Sequence, residues 1–283
     1  MNWTTLVDVP TLAAHLGEAR LRIVDCRHDL NDPHAGRRAY AEAHIPGARF
    51  LHLDDNLSGA CNGRNGRHPL PDPNEFAAHL GARGIQPGDQ VVAYDAAGGA
   101  IAARLWWMLR WIGHSNVAVL DGGWPAWIAA GHPVESRIRE SQSALYSARP
   151  APATTLDAQG VHAALERAEI MLIDARSPDR FAGENETLDP VGGHIPGAAN
   201  RFFRHNLTAD GRFRPADELR SEFEALLGTH SASDVVHQCG SGVTACHNLL
   251  AMEIAGLSGA RLYPGSWSEW CSDPTRPVAT GND

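Results

Sequence analysis

Residues 234–256 read DVVHQCGSGVTACHNLLAMEIAG. A short apolar run, Val235 and Val236, leads into Cys239. A loop of Gly240, Ser241, Gly242, Val243 and Thr244 follows, and then Leu249, Leu250, Met252 and Ile254 supply the apolar face of a helix. Strand, glycine loop and helix in this order are the unit of a parallel α/β sheet. The order also presents Cys239 at a strand's carboxyl end, where such sheets gather reactive groups. Two glycines in five residues relax the backbone, so that successive N–H groups turn inward around the sulfur. A nest at the positive end of a helix favours a thiolate or an anion attached to it, which makes Cys239 the candidate nucleophile. The competing reading is a free cysteine packed as a small apolar side chain.

Working outward, the chain repeats itself once. Ile23-Val24-Asp25-Cys26-Arg27 matches Leu172-Ile173-Asp174-Ala175-Arg176, and His44-Ile45-Pro46-Gly47-Ala48 matches His194-Ile195-Pro196-Gly197-Ala198. Val91–Asp95 aligns with Val235–Cys239, and Trp124/Trp127 with Trp267/Trp270. The period is too long for a solenoid and implies two domains of one ancestry. We expect a first domain at 1–140, a linker at 141–155 with the boundary near residue 145, and a second domain at 156–283. The segment VESRIRESQSALYSARPAPATT, residues 134–155, has the polar, alanine- and proline-rich character of a connection crossing the surface.

Within the first copy, helices are expected near 10–17, 37–43, 73–84 and 99–112, and strands at 22–25, 90–94 and 117–120. Such alternation predicts an α/β fold in which each copy is a parallel sheet with helices on both faces. The duplicated features (Asp25 and Asp174, Arg27 and Arg176, the HIPGA turns, the tryptophan pairs) recur in a copy without the cysteine. They are therefore assigned to structure rather than chemistry. At the nucleophile the copies differ, with Asp95 standing where Cys239 stands.

The formal charge of −9 argues against a general nucleic-acid binder. The amino terminus lacks a basic start followed by an apolar core, and no apolar run approaches the ~20 residues of a spanning helix. A cytoplasmic protein is expected, with neither membrane nor nucleic acid as partner. Five scattered cysteines, Cys26, Cys61, Cys239, Cys246 and Cys271, form no CxxC pair or metal-spaced cluster. A disulfide scaffold and a metal site are not expected, and a reduced compartment suits a free reactive thiol.

Two fused copies, the HIPGA turns, the GGWPAW and GSWSEW segments and the CGSGVTA loop together resemble the tandem-domain rhodanese family of sulfurtransferases. The match covers essentially the whole chain. The resemblance implies an inactive first domain, a catalytic second domain and a persulfide on Cys239, formed and discharged without metal or organic cofactor. It implies loop amides from Gly240, Gly242, Val243 and Thr244 around the transferred sulfur, and Arg180 as the cation for a small anionic donor. It also implies a Ser241/His68/Asp54 relay, with a thiol, cyanide or a thioredoxin-like protein as acceptor. The loop is similar to that of 3-mercaptopyruvate sulfurtransferases, whereas thiosulfate sulfurtransferases of the vertebrate kind carry basic residues at positions 240 and 241. Against this, the mercaptopyruvate branch has a second arginine nine residues after Arg180, where this chain has Asp189. Loop and arginine pattern thus point to different donors, with mercaptopyruvate ranked first and thiosulfate second.

The residues around Cys239 disfavour two other classes. A cysteine phosphatase or arsenate reductase carries an arginine six residues after its cysteine, but here that residue is Ala245, leaving nothing to clamp a phosphoryl transition state. A non-enzymatic persulfide carrier or signalling module is disfavoured by the intact glycine loop around Cys239.

Overall fold

The computed structural model describes residues 1–138, 142–150 and 154–281. They form two compact units, which are not simply two halves of the chain. The first comprises Met1–Gly59, Pro71–Pro152 and Ala209–Phe213; the second comprises Ala60–Leu70, Ala153–Thr208 and Arg214–Asp283. Of the expected linker, residues 141 and 151–153 lie outside the described residues, and 142–150 run along the first unit. There Ala144 N–H donates to Gly81 O at 2.9 Å, and Arg149 N–H donates to Ile112 O at 2.9 Å.

The first unit runs β1 (Leu6–Val7), α1 (Val9–Ala14), β2 (Leu21–Asp25), α2 (Ala35–Glu42), β3 (Arg49–Phe50), α3 (Leu53–Asn56), α4 (Pro73–Ala82), β4 (Gln90–Tyr94), α5 (Ala102–Trp111), β5 (Val117–Leu120) and α6 (Gly123–Ala129). Its strands form a parallel sheet in the order β1-β5-β4-β2-β3. Every residue of β4 and β5 is buried, as continuous apolar strands covered on both faces must be. Helix starts follow local chemistry: Asp8 and Asp72 accept the free amides of α1 and α4, and proline occupies the first turn of each. Helix α5 begins at Ala102, three residues later than expected, because the preceding segment is spent as a loop around Asp95.

The second unit repeats the plan with α7 (Ala158–Glu166), β6 (Met171–Asp174), α8 (Pro178–Ala182), β7 (Ala199–Asn200), α9 (Ala216–Leu227), β8 (Val235–Gln238), α10 (Ala245–Ile254), β9 (Arg261–Leu262) and α11 (Ser266–Trp270). Its parallel sheet has the order β7-β6-β8-β9. A single parallel bridge, Thr155 to Leu262, stands where β1 stands in the first unit. Asp157 caps α7 as Asp8 caps α1. The core gathers Val161, Leu172, Ile195, Val236, Tyr263, Trp267 and Trp270 on one side of the sheet. Both units thus have the expected architecture, and each central strand delivers its last residue to the carboxyl edge.

The duplicated residues take structural places. Arg27 Nη2 donates to Asp25 at 2.6 Å and to Ala43 O at 2.6 Å, and its guanidinium lies 4.3 Å from the Trp124 ring centroid. Arg176 Nη2 donates to Asp174 at 2.6 Å and to Gly193 O at 2.8 Å, and lies 4.9 Å from the Trp267 ring. Each buried cation is neutralised, hydrogen-bonded and stacked, which is what makes its burial tolerable.

Candidate active site

Cys239 directly follows strand β8 and is 2% exposed. Both backbone groups of this residue are held: its N–H donates to Ser266 Oγ at 3.1 Å, and its carbonyl accepts from Trp267 N–H at 3.0 Å. Gly240 O accepts from Ser268 N–H at 2.9 Å. Gly242 adopts φ +76, and a Cβ there would lie 2.3 Å from Pro264 O, so only glycine fits this turn. Ser266 is fully buried at φ +55, a conformation a serine adopts only when its surroundings impose it. Its hydroxyl donates to Tyr263 O at 2.9 Å and so presents a lone pair to the Cys239 amide. The sequence reading treats the GSWSEW segment as packing; the structure adds that its first serine fixes the backbone of Cys239.

The segment 60–70 brings further groups to this loop. It is pinned at Gly66, where a Cβ would meet Gly265 O at 2.7 Å, and at Arg67, whose N–H donates to Ser268 Oγ at 3.0 Å. This sets His68 Nδ1 2.7 Å from Ser241 Oγ, with both residues buried. The two sequence-nominated residues are therefore in hydrogen-bond contact across 173 positions of chain.

Charge surrounds the loop in an alternating arrangement. Glu186 Oε1 accepts from the amides of Leu188 at 2.8 Å and Asp189 at 3.1 Å. Glu186 also takes Arg180 in a forked pair, Nε at 3.0 Å and Nη2 at 2.8 Å on Oε2, and stands 3.5 Å from Arg176 Nη1. Burial raises the Glu186 carboxyl, but the Leu188 amide and Arg180 more than offset it, and the group ends below the ordinary range. Asp189, where a second arginine is expected, divides its oxygens between Arg67 and Arg180, the latter at 3.5 Å. Its carboxyl is raised by burial against the pull of Arg67. Burial opposes the charge on Arg176, and Asp174, Glu186 and Cys239 together overcome it. Cys239 thus lies within the electrostatic reach of a guanidinium rather than among apolar groups alone. Arg67 and Glu186 escape the sequence reading; the only signal for Arg67 is its place beside His68.

Asp54, the third nominated relay residue, lies in the first turn of α3 in the first unit, its carboxylate 3.7 Å from His52 Nδ1. His28, His52 and Asp54 are close enough to suggest a metal site. His52, however, has both ring nitrogens engaged: Nε2 lies 2.7 Å from Pro33 O, and Nδ1 accepts from the Asp54 amide at 3.2 Å. Its carbonyl partner requires Nε2 to carry the proton, and the remaining lone pair is already used.

In the first unit the equivalent of the cysteine loop is filled from within. Asp95 Oδ1 accepts from the amides of Ala97 at 2.7 Å and Gly99 at 2.9 Å, and Oδ2 from Ile101 and Ala102, both at 2.8 Å. Its carbonyl accepts from Trp124 N–H at 2.8 Å, as that of Cys239 does from Trp267.

Comparison with known proteins agrees with this duplication. The rhodanese-like domain family matches residues 8–130 and again 157–273. The chain is 47% identical over its full length, and the full length of the relative, to a probable 3-mercaptopyruvate sulfurtransferase of Pseudomonas aeruginosa. It is 40% identical to a putative thiosulfate sulfurtransferase of Mycobacterium tuberculosis, over 92% of this chain and 90% of the other. Among solved structures, the 3-mercaptopyruvate sulfurtransferase SseA of Escherichia coli superposes with a TM-score of 0.82 at 30% identity, covering 94% of this chain and 99% of that one. Duplicated sheets, a cysteine loop in the second copy and relatives of this length place the chain in the rhodanese family of sulfurtransferases, with two rhodanese-like domains.

Proposed function

We propose that the protein transfers a sulfane sulfur through a persulfide on Cys239, with 3-mercaptopyruvate as the preferred donor and a thiol, cyanide or a thioredoxin-like protein as acceptor. The Cys239 thiolate attacks the donor's sulfur and the carbon–sulfur bond breaks. The electron pair leaves as the enolate of pyruvate, and the proton once on the donor's thiol ends on the methyl carbon. An acceptor such as cyanide then attacks the outer sulfur of the persulfide. Thiocyanate departs with that sulfur, and the thiolate is restored. Amides of Gly240, Gly242, Val243 and Thr244 stabilise the anion in both states, and Arg180 binds the donor's carboxylate.

The observation that carries the choice of donor is the 2.7 Å pair of His68 Nδ1 and Ser241 Oγ beside the nucleophile. An enolate leaving group needs a proton delivered, and a hydroxyl backed by an imidazole can supply one. Sulfite leaving thiosulfate needs none. Asp54 is assigned to this relay by resemblance alone. Thiosulfate is kept as the second donor on the strength of Asp189, an acid that competes with a donor's carboxylate for the arginines.

Incubation with each donor followed by intact mass should show one added sulfur atom, absent in Cys239→Ser. Side-by-side kcat/KM values should favour mercaptopyruvate. His68→Ala should lower kcat about 100-fold with mercaptopyruvate and little with thiosulfate; an equal loss with both would remove the proton-transfer role.

A further inference from the structure

In the first unit an open cleft of about 420 Å³ lies among α2, β3 and the end of α4. Three arginines line it, Arg37, Arg49 and Arg83, against an apolar wall that includes Tyr40, Phe50 and Ile138. The half-buried pair Arg49 and Arg83 ties β3 to the end of α4. Arg49 Nε donates to Arg83 O, and its Nη1 donates to Gly47 O at 3.2 Å. Arg83 Nε donates to Phe50 O at 2.8 Å, Nη1 to His79 O at 3.0 Å and Nη2 to Asn56 Oδ1 at 2.9 Å. Every one of these acceptors is neutral, and among the described residues neither guanidinium has a carboxylate at ion-pair distance. Arg27 and Arg176, by contrast, each close a pair with an aspartate. Burial opposes the charge on Arg49, and Arg22 adds to it; burial and Arg37 act in the same way on Arg83. Both guanidiniums are thus held below the ordinary arginine range.

We propose that this cleft binds a small phosphate monoester with an apolar body, the phosphate held by Arg49 and Arg83 and the body laid against Phe50 and Ile138. A half-buried cation without a counter-charge is costly, and an anion from solution removes that cost at two cations together. Hydrogen bonding fixes both guanidinium planes in advance, while Arg49 Nη2 and the second N–H of each Arg83 terminal nitrogen remain to be given to an oxyanion. Arg37, whose guanidinium lies 5.7 Å from the Phe50 ring centroid and pairs with the exposed Asp55, adds a third positive charge at the rim. Two cations and a third nearby suit a doubly charged group with three oxygens better than a carboxylate. The volume lies within the roughly 300–1,000 Å³ of pockets that hold organic molecules, and the apolar wall gives an organic body something to cover. Nothing in this site belongs to the cysteine loop, so the proposal stands apart from sulfur transfer.

Phenyl phosphate is the probe, titrated calorimetrically into the full-length protein and into Arg49→Ala, Arg37→Ala and Arg180→Ala, with thermal unfolding confirming the fold of each. Affinity should fall about tenfold or more in Arg49→Ala, the size expected for losing a charge-assisted contact. It should fall severalfold in Arg37→Ala, whose exposed ion pair contributes little to folding and which keeps the test open if Arg49→Ala fails to fold. Arg180→Ala should bind as the wild type does, and sulfur transfer by Arg49→Ala should match the wild type. Inorganic phosphate and benzoate, lacking the body and the second charge respectively, should each bind more weakly than phenyl phosphate. Absence of binding to the wild type, equal affinity in all the variants, or equal affinity for the three probes would overturn the assignment. A loss confined to Arg180→Ala would overturn it as well, by placing the anion at the cysteine loop.

Discussion

The loops after β4 and β8 are the same device with different contents. In the first unit the carboxylate of Asp95, the residue after the strand, takes four amide hydrogens and closes the nest on itself. In the second unit that residue is a cysteine, and the backbone is held by Ser266 and Trp267 rather than by the residue's own side chain. The first loop therefore demonstrates what such a turn binds, which is an anion, and the second leaves that preference to a sulfur and whatever is attached to it.

The largest expected effect comes from making the second loop imitate the first. Cys239→Asp should abolish sulfur uptake, read by intact mass, while unfolding no earlier in denaturant than Cys239→Ala, because a carboxylate can refill the nest. The reverse alteration breaks the first loop. Asp95→Ala leaves four amides, three of them buried, without this acceptor and should cost about 3–5 kcal/mol in denaturant unfolding. A cost below about 1 kcal/mol would mean that these amides are satisfied in other ways.

A further contrast lies two residues earlier, where Ala93 of β4 corresponds to His237 of β8. His237 is fully buried, and desolvation brings its pKa down to about 3. An unfolded histidine titrates near 6.5, so below that pH the unfolded chain takes up a proton that the folded one refuses. Stability should fall as pH drops from about 6.5 toward 3, with His237 contributing up to about 1.4 kcal/mol per pH unit. His237→Ala leaves a cavity and lowers the overall level, but it should flatten this slope; an unchanged slope would remove His237 as its source. The smallest effect concerns Ser266, whose counterpart Gly123 has nearly the same backbone, φ +53 against +55. Ser266→Gly relieves strain but loses two hydrogen bonds, so stability should change by about 1 kcal/mol or less. Loss of the hydroxyl that fixes the Cys239 amide should still slow sulfur uptake severalfold, measured as kcat.

Much of this was legible residue by residue. The ends of β4 and β5 fall where Gln90–Tyr94 and Val117–Leu120 place them, because apolar runs of that length between turn residues fit only a buried strand. The start of α5 was not legible, since the amides that would begin the helix earlier bind the Asp95 side chain, a competition that periodicity does not register. Ser266 was overlooked within a packing motif, although the exchange of GGW for GSW between the copies was the available clue.

The sequence alone determined the duplication, the parallel sheets and the one cysteine loop, since these follow from local patterning: apolar runs, glycines and a repeat in register. Tertiary structure decided which charges meet there. Arg67 and Asp189, 122 residues apart, are joined only once the segment 60–70 packs into the second unit, and Ser241 meets His68 by the same route. Ion pairs and hydrogen bonds depend on distances of a few ångströms in space, and no spacing along the chain encodes them.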